Sequence, residues 1–174
     1  MSKNYNTIVV GTDGSTSSLL AVERAAELAR AFDAKLVVGC AYYESEEDAS
    51  STLRQDSNTI LGDDTARKNL EAASARAKEV GVENVETAVR PGTPVEALMS
   101  IVTDFNADLL VVGNRGINSL TGRLLGSVPA DVARQSDCDV MIVHTSLSFL
   151  TSPDQSQRLR RTRDCDVEVL PPLW

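Results

Sequence analysis

Five short apolar segments alternate with four longer helix-like segments along this chain, and this alternation limits the fold more than any other feature. The apolar segments are rich in valine and are followed by glycine or polar residues. They occupy residues 6–11, 34–42, 84–90, 107–113 and 139–145. Strands that alternate with helices are typical of a mainly parallel sheet covered on both faces. We therefore predict an α/β fold, a single doubly wound open sheet of five parallel strands with four helices.

The segments between the strands carry helix signals at their ends. The first helix is predicted to begin at a cap formed by Ser15 or Ser17. The second is predicted over residues 59–80, and the third over residues 92–106, with a proline in its first turn. The fourth is predicted to begin after Gly126.

The length of 174 residues favours a single domain, which we place at residues 1–145. Residues 146–174 contain three prolines and no sustained hydrophobic period. We interpret them as a C-terminal extension of unknown role, with a short strand predicted at residues 167–170. If the extension folds over the last strand of the sheet, it would cover the edge of that sheet.

Composition excludes several classes of protein. No apolar run approaches the roughly 20 residues needed to span a bilayer, and the first residues lack the apolar stretch of a signal peptide. The three cysteines show no paired spacing, so we expect a cytoplasmic protein. A net charge of −8 argues against general binding to nucleic acid or to a membrane surface. It does not exclude one small anion held by backbone amides.

Three glycines follow the fourth predicted strand, at Gly113, Gly116 and Gly126. Loops at the carboxyl ends of parallel strands bind ligands where the strand order reverses, and glycine lets the backbone approach a ligand closely. Gly126 and Ser127 lie where the fourth helix begins, and free amides at a helix start favour phosphate. Glycine-rich turns are also common in α/β domains, so the pattern alone fits a simple turn equally well.

The first loop, "GTDGS", strengthens the interpretation as a ligand site. Asp13 follows the first strand, and its carboxylate could accept from a ribose hydroxyl or hold a phosphate-bound Mg²⁺. The loop is not a Walker sequence, since G-x-x-x-x-G-K-[ST] is absent, and it lacks the G-x-G-x-x-G dinucleotide pattern.

Together these residues resemble the ATP-binding universal stress proteins. The segment Gly113-Asn114-Arg115-Gly116, nine residues, then Gly126-Ser127 fits the signature G-2X-G-9X-G-[S/T] of that family. The resemblance covers residues 5–145. The stretch from "VVGNRG" to "MIVHT" is most similar to an actinobacterial branch that includes a cyclic-AMP-binding member.

The resemblance implies strand order 3-2-1-4-5 and an adenine nucleotide, cyclic AMP or ATP, lying across the ends of strands one and four. It also implies a homodimer formed through residues 139–145, and Mg²⁺ if the ligand is ATP. The residues that it places at the nucleotide are Gly11, Thr12 and Asp13 at the nucleoside, Ala41 at the adenine edge, Gly113, Arg115 and Gly116 around ribose and phosphate, and Gly126, Ser127 and Val128 at the phosphate oxygens.

Two other functions stay open at this point. One is a slow ATPase or phosphotransferase, which needs a base and a positioned nucleophile; no residue of the glycine loops is visibly placed for that role. The other is a dimeric interaction module that binds no nucleotide. Between the two ligands, the scarcity of basic residues near the phosphate end, where Arg115 is followed only by Arg123, favours cyclic AMP over a triphosphate.

The remaining reactive residues have simpler interpretations. His144 is the only histidine, lies in a predicted strand and is interpreted as structural. Cys40 and Cys138 lie in or beside strands, where cysteine is usually an inert small hydrophobe. Cys165 in the extension is the better candidate for a reactive thiol. The basic cluster at residues 159–163 lies among an equal number of acids and is interpreted as a solvated segment.

Overall fold

The computed structural model of the chain describes residues 4–45, 49, 60–114 and 125–145. Within this part the strands are β1 (Thr7–Gly11), β2 (Lys35–Tyr42), β3 (Val85–Pro91), β4 (Leu109–Gly113) and β5 (Asp139–Val143). The helices are α1 (Thr16–Phe32), α2 (Asp63–Glu79), α3 (Pro94–Asp104) and α4 (Ser127–Gln135). No helix of the described ranges is long and apolar enough to cross a membrane. The strand predicted at residues 167–170 lies outside them.

The five strands form one parallel sheet in the order β3-β2-β1-β4-β5. β1 is central, with Val9 opposite Val37 of β2 on one side and Leu110 of β4 on the other. Its three middle residues are fully buried, as expected for a strand covered on both faces. The predicted fold class and strand order are confirmed.

Each face of the sheet carries two helices and its own apolar core. α1 and α2 cover one face, where alanines of α1 and Leu70 of α2 pack on Ile8 and Val10. α3 and α4 cover the other, where Leu98, Ile101 and Val132 pack on Val9, Val37 and Leu110. The sheet is therefore doubly wound: the helices after β1 and β2 cover one face, those after β3 and β4 cover the other, and the strand order reverses between β1 and β4.

Two glycines of the sheet allow α3 to pack closely. Gly11 and Gly39 lie opposite each other on β1 and β2. A Cβ on Gly11 would lie 3.0 Å from Leu98 Cδ1, and one on Gly39 would lie 2.9 Å from Ile101 Cδ1. Both distances are shorter than ordinary carbon contacts. Packing of α3 therefore accounts for glycine at these two positions without any ligand.

The predicted start of the second helix, at residue 59, was wrong. Residues 60–62 are not helical, because the chain there runs beside the end of β2. Tyr43 donates its amide to Ile60 O at 2.8 Å, and Gly62 donates to Tyr43 O at 3.0 Å. Gly62 has a φ of 76°, which lets the chain leave this extended path, and α2 begins at the next residue.

Candidate nucleotide site at the carboxyl ends of β1 and β4

The carboxyl ends of β1 and β4 are neighbours in the sheet, and the chain leaves them in opposite directions. Val10 pairs with Val111, so Thr12 and Asn114 follow adjacent strand ends. α1, after β1, packs on one face, and α4, which follows β4, packs on the other. The loops therefore diverge at the point where ligands of open α/β sheets bind.

Asp13 holds the β1–α1 loop through hydrogen bonds to Ser15. Asp13 Oδ1 accepts from the Ser15 amide at 3.0 Å and from the Ser15 hydroxyl at 2.5 Å. Ser15 Oγ in turn accepts from the Ser18 amide at 3.0 Å and caps α1. Ser15, and not Ser17, is therefore the cap. Within the described ranges no protein donor contacts the second Asp13 oxygen, and the side chain is half-buried.

Thr12 completes the internal bonding of this loop. Its amide donates to Gly39 O at 2.9 Å, and its Oγ1 accepts from the Gly14 amide at 3.2 Å. Gly14 has a φ of 78°, and a Cβ there would lie 2.5 Å from the Asn69 side chain. The loop thus needs glycine at residue 14 for its own conformation. Thr12 and Asp13, predicted as ligand contacts, both have structural roles here.

Cys40 lies at the end of β2, beside this loop. Burial, and then the charge of Asp13, raise the pKa of its thiol from 9.0 to about 12. The thiol therefore stays protonated at neutral pH, and thiolate is the reactive form. This agrees with the interpretation of Cys40 as an inert residue.

The start of α4 is bonded differently. Gly126 is its N-cap and donates its amide to Asn114 O at 3.0 Å, but it provides no side-chain cap. Pro129 has no amide hydrogen, and Ala130 donates to Gly126 O at 3.3 Å. The Ser127 and Val128 amides donate to no acceptor in the described part of the chain. Both residues are half-buried.

The backbone at Gly126 matches that of the two capped helices. Gly126 has φ −63° and ψ 163°, against −71° and 154° at Ser15 and −68° and 152° at Thr93. Ser15 and Thr93 both accept a helix amide with their side-chain oxygens. A Cβ on Gly126 would come no closer than 3.5 Å to Asn114 O and Pro129 Cδ, which is ordinary contact. Neither its backbone angles nor packing against the described residues therefore requires glycine at residue 126.

The positions of the other predicted site residues say less about ligand binding. Gly11 ends β1, Ala41 lies near the end of β2 opposite Arg90, and Gly113 ends β4 opposite Val143. Their strand-end positions agree with the prediction but show no ligand contact. Arg115 and Gly116 lie outside the described residues.

Sequence reasoning missed Asn114, which joins three elements at this end of the sheet. It bonds with Gly126 at the start of α4 and with Val143, His144 and Thr145 at the end of β5. The available signal was its position directly after β4, in the middle of the glycine pattern. His144 contacts Asn114 through Nδ1 at 3.2 Å, which agrees with its structural interpretation. No group of three or more His, Cys, Asp or Glu that could hold a metal occurs in the residues described.

These features define a class: an open α/β domain with an uncapped helix start at its topological switch point. Comparison with known proteins identifies the family. Residues 4–144 match the model of the universal stress protein family. The chain therefore belongs to the universal stress protein family, as the glycine signature predicted.

Individual relatives agree with this assignment. Universal stress protein Rv1636 of Mycobacterium tuberculosis is 48% identical over 144 residues, which cover 82% of this chain and 98% of the relative. Putative universal stress protein SSP1056 of Staphylococcus saprophyticus is 32% identical, covering 81% and 84%. Residues 145–174 lie beyond the part of the chain that the family model matches.

A solved universal stress protein in complex with cAMP is 44% identical to this chain, with a TM-score of 0.65, and the match covers 83% of this chain and 100% of that one. The universal stress protein of Archaeoglobus fulgidus in complex with dAMP is 20% identical, with a TM-score of 0.55, and the match covers 80% and 98%. The second likeness concerns the fold alone.

Proposed function

We propose that this protein binds an adenine nucleotide, cyclic AMP or ATP, across the carboxyl ends of β1 and β4. In this proposal it acts as a stress-linked sensor, sink or partner switch, and not by catalysis. Nucleotide binding would shift it between two states only to the extent that the ligand binds them with different affinity. The cAMP complex of a family member 44% identical to it supports an adenine nucleotide as the ligand.

The observation that carries the proposal is the uncapped start of α4. Ser127 and Val128 present amide hydrogens with no protein acceptor in the described ranges, at the positive end of a helix dipole. Gly126 adds no side chain beside them although its backbone would accept one. A phosphate oxygen fits such a position because it can accept from both amides.

The remaining contacts follow from the strand ends and from the family. We propose that the backbone at Gly11 and Thr12 and the second carboxylate oxygen of Asp13 meet the nucleoside, and that Ala41 borders the adenine. Gly126, Ser127 and Val128 would hold phosphate. Gly113, Arg115 and Gly116 would flank ribose and phosphate, although the last two lie outside the described residues.

Of the two ligands we favour cyclic AMP. Its single phosphate carries one negative charge, which suits two backbone amides in a protein of net charge −8. ATP would bring more negative charge and would need Mg²⁺ bound to its phosphates. In the first loop, Asp13 Oδ2 is the protein oxygen that could face this Mg²⁺. In that arrangement the metal would be bound only indirectly.

The test is calorimetric titration with cyclic AMP and with Mg-ATP. We expect micromolar or tighter binding of cyclic AMP, with at least a 100-fold loss of affinity in Gly126→Asp, because the new carboxylate would lie where the phosphate binds. Ala75→Asp is the matched control, since it adds the same charge on an exposed face of α2 and should bind as the unmodified protein does. Tighter binding of Mg-ATP would assign the protein to the ATP-binding type, and hydrolysis would then be measured. No heat with either ligand would refute the proposal.

We also propose that the domain spans residues 1–145, that residues 146–174 are an appended segment, and that two copies pair through β5. β5 is an edge strand of the sheet and its Ile142 side chain is 37% exposed, which is the type of edge that pairing protects. Light scattering on the full chain should give the mass of a dimer, and Ile142→Lys should give that of a monomer. A monomeric full chain that becomes dimeric when shortened after residue 145 would mean that the extension covers β5. A cytoplasmic location stays a prediction.

A further inference from the structure

We propose that Asn114 is the positioning residue of the phosphate-binding amides: it fixes the start of α4 and ties it to the end of β5. The inference rests on the proposed nucleotide site and deepens it, because it names what holds that site in place. Asn114 would not touch the ligand in this role. It would act through Gly126, whose amide donates a hydrogen bond to the Asn114 carbonyl oxygen.

All four polar groups of Asn114 are engaged in this junction. Its amide donates to Val143 O at 2.8 Å, and its carbonyl accepts from the Gly126 amide at 3.0 Å. Its side-chain oxygen accepts from the Thr145 amide at 2.8 Å and from the Thr145 hydroxyl at 2.9 Å. Its side-chain nitrogen bonds with His144 Nδ1 at 3.2 Å. One residue therefore connects the end of β4, the end of β5 and the start of α4.

The chemistry of the junction requires an amide side chain. Asn114 is 9% exposed and Thr145 is 5% exposed, so polar groups left without partners here would be costly. Aspartate would keep the two bonds to Thr145 but would lose the donor that faces His144, and an apolar side chain would lose all three bonds. Asparagine is short enough to bring its own backbone within reach of both neighbouring elements.

The bond to Gly126 also decides which amides remain for a ligand. Of the first donors of α4, the Gly126 amide is used by Asn114 and Pro129 has none, so the Ser127 and Val128 amides remain. Since Asn114 is held by Thr145, a change at the end of β5 would be transmitted to these two amides. β5 is the strand that we propose to pair between subunits, so the same residue would link nucleotide binding to the state of that edge.

The experiment compares Thr145→Val with Thr145→Ser in the full chain. Valine removes the hydroxyl that holds Asn114 Oδ1, and serine retains it. We expect valine to lower the affinity for the nucleotide about tenfold, the effect of one hydrogen bond, and serine to restore it to within about twofold. Thr103→Val is the control, because the Thr103 hydroxyl donates to Met99 O at 3.0 Å on an exposed part of α3 and should not affect binding. Asn114→Ala should have a larger effect in the same direction.

A second readout does not depend on any nucleotide. Amide hydrogen exchange should be faster at Gly126 in Thr145→Val and Asn114→Ala than in the unmodified protein, and unchanged in Thr145→Ser and Thr103→Val. Equal exchange at Gly126 in all five proteins would overturn the inference, as would equal affinity in Thr145→Val and Thr145→Ser. If the unmodified protein bound neither cyclic AMP nor Mg-ATP, the proposed function would fall, and the exchange rates would still decide whether Asn114 positions α4.

Discussion

The loops that follow β1 and β4 lie side by side, yet the helices that they lead into begin in different ways. In the β1–α1 loop, Asp13, Ser15 and Thr12 accept the local amides, and Gly14 is required by its positive φ and by the nearby Asn69. At the start of α4, the Ser127 and Val128 amides have no acceptor in the described ranges, and neither the backbone angles of Gly126 nor its contacts with the described residues require glycine. The helix after the first loop has a side-chain cap, and the helix after the second has none.

In the proposed site, this difference gives the loop after β1 a supporting role and gives the start of α4 the role of binding the anion. A loop held by its own hydrogen bonds can place one carboxylate oxygen accurately. A helix start that keeps its donors available loses a capping interaction, which typically contributes about 1 kcal/mol, and gains a place for an anion. Three predictions test whether the two regions differ in this way.

The largest expected effect is on the free energy of unfolding at alkaline pH, and it comes from Cys40, beside the first loop. Burial and the charge of Asp13 raise the pKa of Cys40 from 9.0 to about 12, so the folded state retains a proton that the unfolded state loses. The contribution of Cys40 to stability is fully present below pH 9 and falls by about 1.4 kcal/mol per pH unit from there towards pH 12. Urea unfolding between pH 8 and 11 should therefore show a steeper loss of stability than in Cys40→Ala.

Tyr43 also contributes to the loss of stability at alkaline pH. Burial, and then the charge of Glu96, also raise its pKa, so some alkaline loss of stability should persist in Cys40→Ala. Only the difference between the two slopes belongs to Cys40. Parallel curves for the two proteins would mean that the end of β2 is open to water, and that the first loop is less closed than its hydrogen bonds indicate.

The next effect separates the structural role of Asp13 from its charge. Asp13→Ala removes the acceptor of both Ser15 bonds and should lower the free energy of unfolding by about 1–2 kcal/mol. Asp13→Asn keeps an oxygen at the same place and should lower it by less than about 0.5 kcal/mol. Thermal or urea unfolding of the two variants measures this difference. Equal stability losses would show that the carboxylate charge, and not the hydrogen-bonded loop, is what Asp13 contributes.

Sequence patterns predicted the sheet because strand and helix periods depend on nearby residues. The apolar runs that became β1 and β4, and the proline in the first turn of α3, required no knowledge of distant contacts. The start of α2 was misplaced because the pairing of Leu61 with Tyr43 joins positions that the sequence separates by a polar segment. The many Ala, Glu, Lys and Arg residues that follow residue 59 favour a helix and gave no sign of that contact.

The candidate site was predictable only where glycine marks it. Three glycines and Asp13 indicated the two loops, but nothing in the sequence distinguishes the structural roles of Gly11, Gly14 and Gly126. The structure gives them different environments: contact with Leu98 at Gly11, a positive φ beside Asn69 at Gly14, and at Gly126 no contact with the described residues that requires glycine. Asn114 was missed because its partners, at residues 126 and 143–145, come together only when β4 and β5 pair.

The smallest expected effect on stability comes from a substitution at Gly126, the N-cap of α4. Gly126→Ser places a hydroxyl at a position whose φ and ψ match those of Ser15. Pro129 lacks the amide that a cap would normally use at this point of the helix, so the hydroxyl can accept only from Val128, and the free energy of unfolding should change by no more than about 0.5 kcal/mol. The same hydroxyl would compete with phosphate for that amide, so nucleotide affinity should fall at least about tenfold. A serine variant with unchanged affinity would place the anion elsewhere, and one that unfolds much more readily would show that glycine is needed by the fold after all.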